Sequence, residues 1–202
     1  MLASKKNIAI LILAAGSSSR MGQPKQLLPW KDTTLLGNAI HNGTTSMAKA
    51  IYVVLGANAK SIRKEIMDSE IEVIENPDWQ HGIGSSIAIG IKMLLKKDND
   101  FDGILIMLAD QPLIDKDYLN LMIISFYSQR ERIIATAYKN RAGVPALFDK
   151  AYCNELADLK NDFGAKELID QSKGKIFTIN PNNKSVDIDT QSEYQNLIKK
   201  IK

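Results

Sequence analysis

Four groups of residues in this chain have the types and spacing for phosphate and metal chemistry. The first is Ala14-Ala15-Gly16-Ser17-Ser18-Ser19-Arg20-Met21-Gly22-Gln23-Pro24-Lys25, directly after the aliphatic run Ile8–Leu13. Its glycines permit a tight backbone and its serines add donors, and exposed N–H groups of such a loop suit phosphate oxygens. Arg20 and Lys25 bring the positive charge that a triphosphate needs. The plainer reading of the same letters is a loop with two solvated basic residues. The segment is neither a G-x-x-x-x-G-K-[ST] loop nor a G-x-G-x-x-G fingerprint. The second group is Asp110, just past the run Ile104–Leu108 and before Gln111-Pro112. A carboxylate at the mouth of a buried strand is well placed for Mg²⁺, which takes oxygen ligands from one or two carboxylates plus phosphate; the alternative is a turn aspartate. The third is Asp187-Ile188-Asp189, whose alternating carboxylates share one face if the segment is extended. The fourth, Gly82-Ile83-Gly84-Ser85-Ser86, reads as a glycine loop approaching ribose or base, with Ser85 as a helix N-cap or serving both roles.

The elements that must position these groups follow from apolar spacing. Ile8–Leu13, Ile51–Leu55, Ile71–Ile74, Ile104–Leu108 and Ile133–Tyr138 read as strands, and Ile176–Ile179 as a return to the sheet. Helical spacing is expected over Thr34–Met47, over Ser61–Met67, after Ser85 (Ile87, Ile91, Leu94, Leu95) and after Asp115 (Leu119, Met122, Ile123, Phe126). From Gly143 the pattern loosens into an irregular excursion around Pro145, then small helices over Lys150–Leu159 and Ala165–Ile169. Thr190-Gln191-Ser192-Glu193 is a capping box that opens a final helix with Tyr194, Leu197, Ile198 and Ile201. Strands apolar on both sides and separated by helices predict an α/β, doubly wound, mostly parallel sheet covered on both faces. Ligands of such sheets bind outside the carboxyl ends of the strands. With no linker or repeat, residues 1–202 are expected to form a single domain.

Composition narrows the function classes. Of 202 residues, 45% are hydrophobic and 24% charged, as in ordinary globular proteins. The net charge of +3 is too mild to argue for nucleic acid or a membrane surface. One cysteine, Cys153, excludes an internal disulfide and a Cys-rich zinc site, and His41 and His81 are the only imidazoles. His41 is expected on a helix surface and His81 in a loop. Trp30 and Trp79 are expected to pack in the core or a lid. Lys5, Lys6 and the run to Ala15 loosely mimic a secretion signal, but the run reads better as a strand entering a glycine turn, and a cytoplasmic location is expected.

Leu13 through Lys25 resembles the signature loop of nucleotidyltransferases of the MobA-like family, L-(A/x)-G-x-(S/x)-x-R-M-G-x-x-K. Met21 through Trp30 looks like the branch of that family that matures molybdopterin by cytidylyl transfer. Asn76-Pro77-Asp78-Trp79 with Gly82–Ser86, Leu108–Pro112, and Gly143–Phe148 with Gly164-Ala165-Lys166 are similar to its second loop, its metal-binding turn and its acceptor side. The resemblance implies a nucleotide-diphospho-sugar-transferase-like fold and Mg²⁺ as cofactor. It implies transfer of CMP from CTP to the molybdopterin form of the molybdenum cofactor, with an acceptor molybdoenzyme as a further partner. Lys25, Arg20 and Asp110 would then be catalytic. Leu13, Ala14, Ala15, Gly16, Ser17, Arg20, Lys25, Gly82 and Ser85 would bind the nucleotide. Asp110 and Asp189 would hold the metal, with Asp187 the alternate. Family members that take guanine usually carry Ala-Gly-Gly where this chain has Ala14-Ala15-Gly16, and the extra methyl favours a pyrimidine. Val144 replaces a histidine frequent before this proline, and Gln191 replaces the usual proline after Asp-Thr. A sugar- or polyol-phosphate cytidylyl or uridylyl transferase, a non-catalytic nucleotide-binding protein of the same fold, and an NAD-dependent enzyme are the other readings.

Overall fold

A computed structural model describes residues 5–66, 70–97, 100–129, 132–160, 162–172 and 174–201, Ile201 by its backbone alone. The elements in chain order are β1 (Lys6–Ala14), β2 (Pro29–Trp30), β3 (Thr33–Thr34), α1 (Leu35–Thr44), β4 (Ala48–Leu55), α2 (Ala59–Glu65), β5 (Glu72–Glu75), α3 (Ile83–Lys97), β6 (Gly103–Leu108), α4 (Lys116–Ser128), β7 (Ile133–Tyr138), β8 (Arg141–Asp149), α5 (Cys153–Ala157), α6 (Ala165–Gln171), β9 (Ile176–Ile179) and α7 (Gln191–Ile201). Seven strands form one sheet in the order β5-β4-β1-β6-β8-β7-β9. β5, β4, β1 and β6 run parallel, as do β7 and β9, while β8 is antiparallel to both neighbours.

Successive side chains of a strand point to opposite faces, and both faces here are apolar. Ile8, Ile10 and Ile12 meet α1, α2 and α4 through Leu36, Ile62 and Leu119. Ala9, Leu11 and Leu13 meet α3, α5 and α6 through Ile91, Leu156 and Ile169. This two-sided covering is the doubly wound arrangement expected from the aliphatic runs. The run that mimics a secretion signal is the central strand β1, paired on both edges. Trp30 is buried with Leu35, Ile188 and Leu197, which docks α7 against the segment after the glycine loop.

Several boundaries differ from expectation. Helix α1 stops at Thr44, because the hydroxyls of Thr44, Thr45 and Ser46 turn back onto the carbonyls of Ile40, His41 and Gly43. Helix α2 begins two residues before Ser61; Met67, its expected end, lies outside the described residues, as does the side chain of Ile201. Helix α3 opens at Ile83, so Ser85 lies in its first turn and is not the N-cap. The larger correction is β8, a nine-residue strand where an irregular excursion was expected. The β7–β8 ladder passes from Ala135↔Ala146 to Thr136↔Gly143. Val144 and Pro145 are bulged out, so the missing N–H of the proline costs no ladder bond.

Asp115 caps α4, accepting from the Tyr118 N–H at 3.0 Å and pairing with Lys184 at 2.5 Å. Partial burial would raise its carboxyl, but Lys184 and the Tyr118 N–H outweigh this and hold it below the usual carboxylate range. Its contribution is therefore present above the ordinary aspartate value and lost as pH falls through the lowered one. Asp115→Ala should cost about 1 kcal/mol, read as a drop of a few degrees in Tm that vanishes in strongly acidic buffer.

Candidate active site

β1, β4 and β6 are parallel neighbours, so their carboxyl ends open on one edge of the sheet. The chain leaves β1 at Ala14 and bends sharply: Ser18 (φ 56°) and Gly22 (φ 67°) adopt left-handed backbone. A serine in that region is strained, and its own side chain holds it there. Ser18 Oγ accepts from the Lys25 N–H at 3.0 Å and donates to Gln26 Oε1 at 3.3 Å. Gln26 is buried, and its Nε2 donates to the carbonyls of Ala14 and Gly16, each at 2.9 Å. One amide thus ties both ends of the glycine turn to the residue beside Lys25.

Lys25 is the centre of the site. Its Nζ lies 2.5 Å from Asp110 Oδ2, 3.0 Å from Asp189 Oδ1 and 3.0 Å from the Ile188 carbonyl. Asp110 stands two residues past β6, at the end of the sheet. Burial alone would depress the Lys25 ammonium, but the two carboxylates outweigh it and hold its pKa above the ordinary lysine value. Burial pushes the Asp110 carboxyl up, against the pull of Lys25, and its second oxygen, Oδ1, is buried with no hydrogen-bond partner. A buried carboxylate whose charge is only partly met suits a cation, so the oxygens of Asp110 and Asp189 fit a hard divalent ion completed by substrate oxygens. Among the described residues no cluster of three or more His, Cys, Asp or Glu side chains offers a metal site made by protein alone.

Asp189 is fixed by the capping box foreseen in the sequence. Glu193 Oε2 accepts from the N–H groups of Asp189 (3.0 Å) and Thr190 (2.8 Å), and Thr190 Oγ1 accepts from the Glu193 N–H at 3.2 Å. These donors hold the Glu193 carboxyl below its usual value, so the box persists above the ordinary glutamate range and opens only in stronger acid. The Ile188 N–H donates to the Asp110 carbonyl at 3.0 Å, which locks the two acidic segments side by side. The 187–189 segment is not a strand, and its two acids separate. Asp189 meets Lys25, whereas Asp187 accepts from Gln111 Nε2 at 2.7 Å.

A cavity of about 360 Å³ opens beside this cluster, lined by Leu13, Ala14, Ala15, Gly16, Ser17, Lys25 and Asp110 from the strand ends, with Trp79, Gly82 and Ser86 opposite. Three expected site residues sit elsewhere. Arg20 is exposed and off the cavity wall. Ser85 turns its hydroxyl to the carbonyls of Gly82 (2.8 Å) and Asp78 (3.0 Å), leaving the wall to Ser86. Asp187 lines a second cavity of about 240 Å³, which adjoins the first through Leu13, Ile83, Leu108 and Asp162 and is bordered by Arg141 and Lys166. Gly82 (φ 92°) lines the first cavity and has no room for a side chain, because a Cβ there would collide with the Asp162 carboxylate. Gln26, Ser86 and Trp79 fall within the motif segments but carry no expected ligand-binding role there, and Asp162 lies outside every one of them. Only the position of Gln26 beside Lys25 could have drawn attention to it. His41 and His81 are exposed, and neither lines the cavity.

Residues 10–176 match the MobA-like NTP transferase domain. The nicotine blue oxidoreductase of Paenarthrobacter nicotinovorans is 28% identical over 199 residues, covering 93% of this chain and 95% of that protein. The molybdenum cofactor cytidylyltransferase of Escherichia coli (strain K12) is 35% identical over 85 residues, 42% of this chain and 44% of its own. Among solved structures, Rv0371c of Mycobacterium tuberculosis H37Rv superposes with a TM-score of 0.81 at 26% identity, over 97% of this chain and 99% of that one; it is also known as a manganese complex.

Gln26→Leu should leave the Ala14 and Gly16 carbonyls without their donor. The expected loss is about 1–3 kcal/mol in urea unfolding, with the loop rather than the sheet losing protection in hydrogen exchange.

Proposed function

This chain belongs to the MobA-like NTP transferase family, and from that premise we propose that it transfers CMP from CTP to the phosphate of a molybdopterin-type cofactor, with Mg²⁺ and release of pyrophosphate. The observation that supports this most is the meeting of Lys25 with Asp110 and Asp189, 85 and 164 residues away in sequence, beside a cavity that Lys25 and Asp110 line. An acceptor phosphate oxygen attacks the α-phosphorus, the bond from that phosphorus to the bridging oxygen breaks, and the electron pair leaves with pyrophosphate. The attacking phosphate is already ionised near neutral pH, so the protein supplies position and charge and no general base.

In this reading the N–H groups of Ala15, Gly16 and Ser17 meet phosphate oxygens, as glycine-loop amides do. The Lys25 ammonium neutralises charge that builds on the leaving pyrophosphate, and Arg20 reaches the same group from solvent. When bound between Asp110 and Asp189, Mg²⁺ supplies charge neutralisation at the α-phosphate. Asp187, engaged with Gln111, faces the acceptor cavity, where Arg141 and Lys166 suit an anionic acceptor.

Two features favour a pyrimidine. The Ala15 carbonyl is held by the Ala57 N–H at 3.0 Å. A Cβ on Gly56 would sit 2.9 Å from the Ala15 methyl. That methyl is therefore backed by the turn after β4 and cannot retreat from a larger base.

A relative matched over 95% of its length is named an oxidoreductase, which keeps a second reading in view: a nucleotide-dependent redox protein on the same scaffold. A titration with NADH and NADPH followed by fluorescence separates the two. Pyrophosphate release from CTP, Mg²⁺ and molybdenum cofactor, without dinucleotide binding, supports transfer; release with GTP alone overturns the choice of base; no release with any nucleotide overturns the reaction. Sugar and polyol phosphates in the same assay test the acceptor. Lys25→Ala and Asp110→Asn should each lower kcat about 100-fold or more, as removal of one transition-state charge contact does. Asp187→Asn should act mainly on the KM for acceptor.

A further inference from the structure

The Lys25 ammonium is held in a nest of oxygens between two acidic segments. Three oxygens surround it: Asp110 Oδ2 at 2.5 Å, Asp189 Oδ1 at 3.0 Å and the Ile188 carbonyl at 3.0 Å. Carboxylates and a carbonyl are also the ligands a hard cation selects. One side chain cannot fill that position and also lie on a triphosphate in the adjoining cavity. We propose that Lys25 is a placeholder cation: it occupies the metal position until nucleotide phosphates draw it out, so that metal and nucleotide bind with strong mutual coupling. This rests on the nucleotidyl-transfer reading for the identity of the second ligand, but the placeholder itself is a property of the free protein.

Physical chemistry gives the coupling its sign. In the free protein a metal must displace an ammonium that is already paired, and the displaced ammonium loses partners in a partly buried setting, where unpaired charge is costly. A triphosphate offers it new partners and adds oxygen ligands for the metal. Each ligand therefore raises the affinity of the other by the same factor. Removing the ammonium must raise metal affinity in the free protein and shrink the coupling. The energy of a coupled pair of sites corresponds to roughly 5- to 150-fold in affinity.

The test is Mn²⁺ binding followed by electron paramagnetic resonance, on the full chain. Wild type should bind Mn²⁺ weakly alone and at least about 5-fold more tightly with α,β-methylene-CTP, counting only metal held by protein. Lys25→Met should bind Mn²⁺ without nucleotide at least about 5-fold more tightly than wild type, and adding Asp110→Asn to it should abolish the gain. Equal or weaker binding by Lys25→Met overturns the placeholder. Should that variant fail to fold, the Lys25 Nζ resonance of wild type, assigned with Lys25→Arg, decides. It should shift when Mn²⁺-free Mg²⁺ and the CTP analogue are added together and stay put with Mg²⁺ alone at the same concentration; a shift with Mg²⁺ alone overturns the proposal. Absence of pyrophosphate release with an intact Mn²⁺ pattern would remove the proposed reaction and leave the placeholder standing.

Discussion

A carboxylate buried at the end of a central strand must be given a positive charge, and much of the site follows from meeting that demand at Asp110. The group is placed there by β6, whose ladder with β1 leaves little freedom at its carboxyl end. Desolvation disfavours its ionised form, and one of its oxygens has no partner. Lys25 supplies the charge from one direction and Asp189 shares it from another. The three side chains come from the start, middle and end of the chain. The fold therefore gathers them only when the loop after β1, the turn after β6 and the segment before α7 are all in place. Each is held by its own device: Ser18 with Gln26 for the loop, the Ile188 N–H on the Asp110 carbonyl for the turn, and the Thr190–Glu193 box for the last segment.

The sheet was largely legible because its strands are continuous aliphatic runs. Ile8–Leu13 and Ile104–Leu108 can be little else in a chain of this composition, and parallel strands buried on both faces leave that signature. Strand β8 was not legible, because proline and glycine inside a strand imitate a loop. Only the pairing with β7 shows that the ladder skips around Val144 and Pro145. The same strand explains why the sheet is mixed. A hairpin between β7 and β8 inserts one antiparallel strand between two parallel sets, a relation that no local window of sequence can express.

Within the site the charged residues were legible and their division of labour was not. Lys25, Asp110 and the pair at 187–189 announce themselves by type and by position after strands. Which of the two late acids meets Lys25 depends on how the chain crosses the end of β6, and an extended segment would have turned both to the same side. Arg20 and Ser85 show the converse. Each sits in a motif, yet Arg20 points to solvent and the Ser85 hydroxyl is spent on closing the first turn of α3. Gln26 and Ser86 are polar letters in apolar surroundings, and their roles appear only once their burial is known.

The shape of the cavity wall is also set from behind. Gly56 lies under Ala15: a Cβ on it would meet the Ala15 carbonyl oxygen at 2.7 Å and the Trp79 Cβ at 2.5 Å. Glycine at this position lets the turn after β4 pack directly against the loop, and that contact fixes where the Ala15 methyl projects. A wall assembled this way is rigid, because well-packed interiors relax little when a single group is changed. In the proposed reaction, selectivity for the base would then reside in a contact between the turns that follow β1 and β4 as much as in any side chain that touches the ligand. An alteration at Gly56, which does not line the cavity, would reach the cavity wall through the backbone of Ala15.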